Sequence, residues 1–213
     1  MKKLFLLIFI FPCITIIAQF DLSLSMGLDF KTAPSFRDYV NSNFAPPNNQ
    51  LSSFSSSVSF SGEVGYQYSS NMQCGIEYSL LLDSYNTPIG SGGKYEISYS
   101  SHRPSIILYY VISGQGYKFK FGGGLGLRFI SLTEDIFVQT NYTSTGVGIL
   151  LKADGNTLIS ENLFALIGVD VRYDLPGEIA SENNSKIVNF ANGEIVNLNA
   201  LSVGIKLGVS YNF

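Results

Sequence analysis

The residues that could do chemistry are few. His102 is the single histidine among 213 residues, and Ser101 and Ser105 stand beside it. A serine–histidine couple works as nucleophile and base only when a third group orients the ring. Sequence alone does not supply that group or the geometry, and the familiar lipase and deacylase spacings are absent, so His102 reads as an ordinary polar residue near the predicted break in its strand. Gly122-Gly123-Gly124-Leu125-Gly126 has the look of a phosphate loop. It lacks the Lys-Ser/Thr that such a loop needs, and no helix follows it. These glycines read instead as mid-strand positions that make room for neighbouring side chains. No His, Cys, Asp or Glu grouping has zinc-ligand spacing. No enzyme activity, cofactor or metal is expected.

What remains is a scattered set of charges: Glu63, Glu77, Lys118, Lys120, Arg128, Asp170, Arg172 and Lys206. They are far apart in sequence, but each falls on the polar side of an alternating segment. If those segments enclose a narrow interior, the charges must meet there, because a buried charge without a partner costs several kcal/mol. Glu63 and Glu77 would face Arg128, Arg172 and Lys206 across it. Such a network is either a gate on a narrow ion path or a plug that sets register, and the plug is the favoured reading, since eight strands enclose only enough space for side chains.

The segments that must position these charges count in twos. From Phe20 to Lys31 apolar residues alternate strictly with Asp21, Ser23, Ser25, Gly27, Asp29 and Lys31. Alternation is the mark of a half-exposed strand, and twelve residues suit a tilted strand that crosses a bilayer. The pattern recurs over Ser57–Ser69, Met72–Asp83, Tyr117–Ser131, Leu163–Asp174 and Leu201–Phe213, and less cleanly over Ser144–Thr157. In Tyr95–Ile112 the apolar phase switches near His102-Arg103-Pro104, which predicts a β-bulge there. Short links at Ser69–Asn71, Ser113–Gly116 and Ile159–Asn162 alternate with long loops at Thr32–Phe54, Tyr85–Lys94, Leu132–Thr143 and Leu175–Asn197. That asymmetry is the one transmembrane barrels show, with the short turns in the periplasm.

Composition agrees. Charged residues are 14% of the chain and the formal net charge is -3, while mean hydropathy is +0.21. The basic residues form no stripe, which argues against a nucleic-acid partner. Lys2 and Lys3, the apolar run Leu4–Phe11 and a small residue at Ala18 lay out a secretory signal peptide over residues 1–18. A membrane anchor is the alternative, but the run is short for a spanning helix and Pro12 interrupts it. Cys13 leaves with the signal, so Cys74 stays without a disulfide partner. The glycosylation-type motifs at Asn141 and Asn183 are set aside, because export here points to a bacterial envelope.

The apolar face of the strands is too large for the inside of a small barrel, so lipid must meet it. The aromatics then fall into two girdles. Tyr66, Tyr68, Tyr110, Tyr117, Phe119, Tyr211 and Phe213 lie near one interface; Phe30, Phe60, Tyr95, Tyr99, Phe129 and Tyr173 lie near the other. The chain ends Lys206-Leu207-Gly208-Val209-Ser210-Tyr211-Asn212-Phe213. Lys206, Gly208, Tyr211 and the terminal Phe213 resemble the assembly signal of outer-membrane barrels, which the barrel-insertion machinery reads. Taken together, residues 19–213 resemble the small outer membrane protein β-barrel family, which includes OmpA-like, OmpX-like and PorT-like barrels. The fold expected is all-β: an eight-stranded antiparallel up-and-down transmembrane barrel, monomeric, in the outer membrane of a Gram-negative bacterium, with both termini in the periplasm. The role expected is non-enzymatic, structural or surface-interacting, as a secretion or adhesion accessory whose outer loops bind an unidentified protein. A small pore is the first alternative, a lipid-modifying enzyme the second and a soluble periplasmic barrel the third.

Overall fold

The computed structural model describes residues 19–89, 93–181 and 183–213; the signal peptide expected over residues 1–18 lies outside them. Eight long strands form the wall: β1 (Gln19–Thr32), β2 (Ser55–Ser69), β3 (Met72–Ile89), β4 (Gly93–Gly114), β5 (Tyr117–Asp135), β6 (Gln139–Ser160), β7 (Leu163–Leu175) and β9 (Ala200–Asn212). A helix, α1 (Pro34–Asn43), and a two-residue strand, β8 (Ala180–Ser181), belong to the longer connections. Every neighbour pairs antiparallel in the order β5-β4-β3-β2-β1-β9-β7-β6, and β5–β6 pairing closes the ring. Closure leaves no open edge around the apolar band, which is what allows a sheet to sit in hydrocarbon. No helix among the described residues is long and apolar enough to cross a membrane.

Alternation decides which way each side chain points. On β1, Leu22, Leu24, Met26, Leu28 and Phe30 lie exposed on the outside, while Asp21, Ser23, Asp29 and Lys31 are buried inside. The same division holds on β9, where Leu201 to Tyr211 alternate outward and Ser202, Lys206 and Ser210 point in. Short turns join β2 to β3, β4 to β5 and β6 to β7, and both described termini lie at that end, hereafter the turn end. The other end carries α1 and β8 and is the loop end.

The structure corrects the expected β-bulge in β4. Leu80↔His102, Ser79↔Arg103 and Tyr78↔Pro104 pair in unbroken register. Tyr95, Ile97 and Tyr99 share one face with Arg103, Ile107 and Tyr109, and all are buried. Phase therefore never changes along the strand; the surroundings do. Within the lipid band the outside is apolar and much of the inside polar. Beyond it, the inner face meets a covering of chain and becomes apolar, while the outer face meets water and turns to Ser98, Ser100, Ser131 and Thr133. Tyr95 and Tyr99 accordingly do not belong to the outer aromatic girdle.

Two of the expected long loops are also mostly strand. β3 continues to Ile89 and β4 starts at Gly93; β5 runs to Asp135 and β6 starts at Gln139. The polar composition of these stretches reads as loop, but polarity is what a strand needs once it has left the lipid. Four strands thus rise past the ring as a curved sheet. Its concave face holds an apolar cluster that includes Leu81, Tyr95, Ile97, Ile130 and Leu132, capped by Tyr39 and Val40 of α1 and by Ile179, Ile187, Val196 and Leu198 of the β7–β9 connection. Helix α1, unforeseen within the Thr32–Phe54 loop, starts with Pro34 in its first turn, where a missing N–H costs nothing. Its buried stripe, Tyr39 and Val40 with Phe36 and Phe44 beside it, has the helical spacing.

Candidate functional site: a charged barrel interior

The candidate serine and histidine are separated by strand alternation. His102 faces outward, where Tyr78 Oη and its Nδ1 are 2.5 Å apart. Ser101 and Ser105 are buried inside, and Ser105 Oγ accepts from Arg128 at 3.2 Å. No nucleophile–base pair exists among these three. Among the described residues no group of three or more His, Cys, Asp or Glu could hold a metal ion.

The interior is organised around ion pairs. Nearest the turn end, Asp21 accepts from Gln73 Nε2 at 3.0 Å and lies 3.4 Å from Lys118 and 3.6 Å from Lys120. Glu63 takes Lys120 at 3.2 Å and Lys152 at 2.7 Å, and Tyr109 donates its hydroxyl to it at 2.6 Å. Lys152 also reaches Glu77 at 3.0 Å and Asp154 at 3.2 Å. Glu77 accepts from Arg172 at 2.7 Å; Arg172 turns its guanidinium onto Asp170 at 3.1 Å, and Lys206 closes the chain on Asp170 at 2.5 Å. Charge alternates without interruption from Asp21 to Lys206.

A second cluster sits toward the loop end. Asp29 accepts from Arg103 at 3.0 Å and from Ser59 at 2.8 Å. Arg103 also reaches Asp174 at 3.1 Å, and Arg128 bonds the same carboxylate. Across both clusters seven carboxylates face seven cations. All are nearly or fully buried apart from Lys118, which is partly open at the turn end.

Of the charges singled out from sequence, Glu63, Glu77, Lys120, Asp170, Arg172 and Lys206 come together in the first network. Arg128 does not meet Glu63 or Glu77; it stands in the second cluster with Asp174. Sequence reasoning misses Arg103, Asp29, Asp21, Lys152, Asp154 and Asp174. Arg103 is hidden by the apparent phase change in β4. The others are visible on the polar faces of their strands, and only the three-dimensional register shows which of them meet.

Glycines let these long side chains fit. A Cβ on Gly148 would lie 2.5 Å from both Arg128 Nε and Asp174 Oδ1. One on Gly122 would lie 2.4 Å from the Tyr109 ring. Gly122 is thus a seat for Tyr109, while Gly124 and Gly126 let β5 approach Ile106–Ile107 and Pro104–Ser105 of β4; the run makes room for neighbours, as its mid-strand position suggests, and is not a phosphate loop.

No protein-family model matches the chain, and no curated protein matches it in sequence. Solved structures do match in shape. A major outer membrane protein of Thermus thermophilus aligns with a TM-score of 0.54 at 12% identity, over 91% of this chain and 99% of that one. Neisserial surface protein A aligns with a TM-score of 0.52 at 14% identity, over 91% of this chain and 97% of its own. The attachment invasion locus protein of Yersinia pestis gives 0.50 at 12%, over 91% and 98%. This chain has the fold of the small eight-stranded outer-membrane barrels. At such identities the likeness is one of fold alone, and the barrel's role must be argued from its own residues.

The barrel's outer wall agrees with that fold. Leu24, Ile76, Leu108, Leu125, Leu151, Ile167 and Leu207 are each more than half exposed, forming an apolar belt that a soluble protein could not present to water. Tyr68, Tyr110, Tyr117, Phe119, Tyr211 and Phe213 are exposed toward the turn end, and Phe30, Phe129 and Tyr173 toward the loop end.

Proposed function

We propose that the chain is a monomeric, non-enzymatic outer-membrane barrel, with turns and termini in the periplasm, whose loop end binds a protein partner at the cell surface. The observation that carries this reading is the contrast between the barrel's two halves. The ring is packed with paired charges, so the interior serves as a plug and not a path. The loop end is built out by the rising sheet and ends in exposed apolar residues. Phe137 and Val138, at the tip of the β5–β6 hairpin, are 82% and 74% exposed, and Phe190 in the β7–β9 connection is 79% exposed. Phe137 also holds a positive φ of 71°, a conformation unfavourable for an aromatic residue. Exposed aromatics held on a rigid frame are what protein recognition uses.

A photo-crosslinking residue placed at Phe137 in intact cells tests the reading. A discrete protein adduct at Phe137, absent when the same group replaces Thr133 on the polar stem, is the expected result. Adducts at neither site would remove the recognition role. The pore alternative meets its own test in planar bilayers, where the wild-type barrel is expected to give no stepwise current. Steady unitary conductance that changes with Glu63→Gln would replace the plug by a gate.

A further inference from the structure

The seam between β2 and β3 stops early. Its last pair at the loop end is Val58↔Leu82. Beyond it, Ser55–Ser57 of β2 pair only with β1, and β3 continues from Asp83 paired only with β4. The β6–β7 seam stops in the same way at Val147↔Leu175, but there β8 bridges to Tyr142 and Thr143, and Ser144 Oγ donates to the Pro176 carbonyl at 2.7 Å. At the β2–β3 gap no described strand takes over. A half-open cleft of about 360 Å³ occupies the place, with Ser55 and Ser56 on one side, Asp83 and Ser84 on the other, and Gln50 and Leu51 above.

The cleft sits at the edge of the lipid band, since Val58, Leu82 and Phe30 just below it are exposed apolar residues of the outer wall. Its depth is apolar, formed by Phe36, Leu51, Ile97 and Tyr99. One buried cation is fixed in it: Lys31 Nζ lies 2.9 Å from Asp83 and 3.9 Å from the centre of the Tyr99 ring. Arg37 stands at the mouth, bound to Asp38 through Nη2 at 2.6 Å and to Ser53 Oγ through Nη1 at 3.3 Å. Both cations of the lining are therefore already paired, Lys31 with Asp83 and Arg37 with Asp38, and each has donors to spare. An ammonium offers three donors, so Lys31 can keep Asp83 and still bind a second anion.

We propose that this cleft binds a single-chain anionic amphiphile of the fatty-acid class. The ligand enters sideways from the membrane interface through the β2–β3 gap, places its carboxylate on Lys31 and Arg37, and lays its chain against Phe36, Ile97 and Tyr99. The volume lies at the small end of ligand pockets, which suits one chain and excludes a two-chain lipid. The lining is mixed, with seven apolar residues and eight polar or charged ones, which suits a ligand with an apolar chain and an anionic head. This site is separate from the hairpin tip, and neither assignment depends on the other.

The test uses the full barrel in detergent micelles, with 11-(dansylamino)undecanoate as the fluorescent probe and dodecanoate or dodecanol as competitor. The probe is excited directly in the dansyl band, so neither the wild type, which has no tryptophan, nor a variant that carries one contributes energy transfer from indole. Wild type is expected to bind the probe saturably, with dodecanoate displacing it at least ten times better than dodecanol. Replacing Lys31→Gln together with Asp83→Asn leaves no orphan charge; it should weaken dodecanoate at least tenfold and leave dodecanol unchanged. Ser84→Trp, which narrows the gap, should weaken both. Each variant is first checked for the heat-modifiable gel shift of a folded barrel, and Lys31→Arg, which should retain dodecanoate binding, stands in if the double variant does not fold. Probe uptake that never saturates, or that ignores every variant, overturns the site. Loss in Ser84→Trp without any effect at Lys31 overturns the anionic ligand class.

Discussion

Glu77 on β3 and Arg172 on β7 come from well-separated strands of the ring and meet inside it at 2.7 Å, both wholly buried. The pair ties two distant strands through the lumen. Its neighbours, Lys152 on one side and Asp170 on the other, extend the tie to β6 and, through Lys206, to β9. Register and interior filling are therefore one problem in this molecule: a strand that slipped by one residue would turn its charges into lipid.

Breaking that tie on one side should be costly. Arg172→Met leaves Glu77 and Asp170 without their shared cation, three buried carboxylates in the network then competing for Lys152 and one for Lys206. The expected loss is about 3–5 kcal/mol, the usual cost of breaking a buried pair from one side. Adding Glu77→Gln to the same chain should recover most of it, since Asp170 keeps Lys206 and Lys152 keeps Glu63 and Asp154. Urea titration read by the fraction of gel-shifted barrel measures both. Equal stability of the single and double variants would show that the interior tolerates an unbalanced charge, and the plug would lose its physical basis.

The glycine seats make a sharper steric prediction. At Gly148 an added methyl would contact the Arg128 guanidinium and Asp174 together, and those two groups are already bonded to each other. Gly148→Val should therefore destabilise the barrel by about 1–3 kcal/mol through overpacking. Gly193 has open space around it, with nothing within 4 Å of an added methyl, and a positive φ of 75°. It should respond to Gly193→Asn hardly at all, because Asn accepts that backbone conformation. Side-by-side thermal shifts of the two variants distinguish packing in the ring from turn geometry in the loops.

Above the lipid band, Tyr39 and Tyr95 both donate to the same oxygen of Glu134, each at 2.7 Å. Burial, reinforced by the charge of Glu134, pushes both phenols well above their ordinary range. A folded-state value raised above the unfolded one means that the unfolded chain loses these protons first as pH rises. The stabilisation is complete below the unfolded value of about 10 and declines above it. In absorbance these two phenols should ionise only as the loop-end cap opens. Glu134→Gln lowers the barrier to ionisation by removing the neighbouring charge, so its titration should begin at lower pH. Identical profiles for wild type and Glu134→Gln would mean that the shared carboxylate does not hold the cap.

The parts of this architecture that are legible in sequence are those governed by alternation. Phe20–Lys31 and Leu201–Phe213 read as strands because lipid meets one side and a tight interior the other over their whole length. β4 reads wrongly because periodicity reports only which residues share a face, and hydropathy supplies the guess as to where that face looks. At Tyr95, Ile97 and Tyr99 the inward environment is a capped apolar core, so the guess inverts. The charged set is recognisable as inward-facing, whereas its partners are not: Arg128 pairs with Asp174 and not with Glu63 because β-register and strand tilt place them at different heights. The β2–β3 gap has no sequence signal, since a missing pair is a property of two strands at once.

The closing seam gives the last prediction. β9 pairs with β1 from Thr32↔Leu201 to Asp21↔Asn212, and Phe213 N donates to the Phe20 carbonyl at 3.0 Å. All four residues of the proposed assembly signal lie on or at the end of this last strand. They face different ways: Lys206 is buried inside, while Tyr211 and Phe213 are exposed outside. Gly208 faces inward, and a Cβ there would lie 2.2 Å from the Leu24 carbonyl and 2.7 Å from Ser25 Cβ. Gly208→Val should therefore block closure itself, since backbone cannot move aside as a flexible side chain can. Removing Phe213 takes away an aromatic that packs edge-on to Tyr211 at 5.0 Å but touches no interior group. Its expected effect is a slower or smaller yield of assembled barrel in cells, with normal stability once folded. Purified Gly208→Val should fail to refold in detergent, whereas the Phe213 deletion should refold there and fail only where the cellular insertion machinery must read the terminus. Equal behaviour of the two variants in both settings would show that the terminal residues act through packing alone and carry no separate signal.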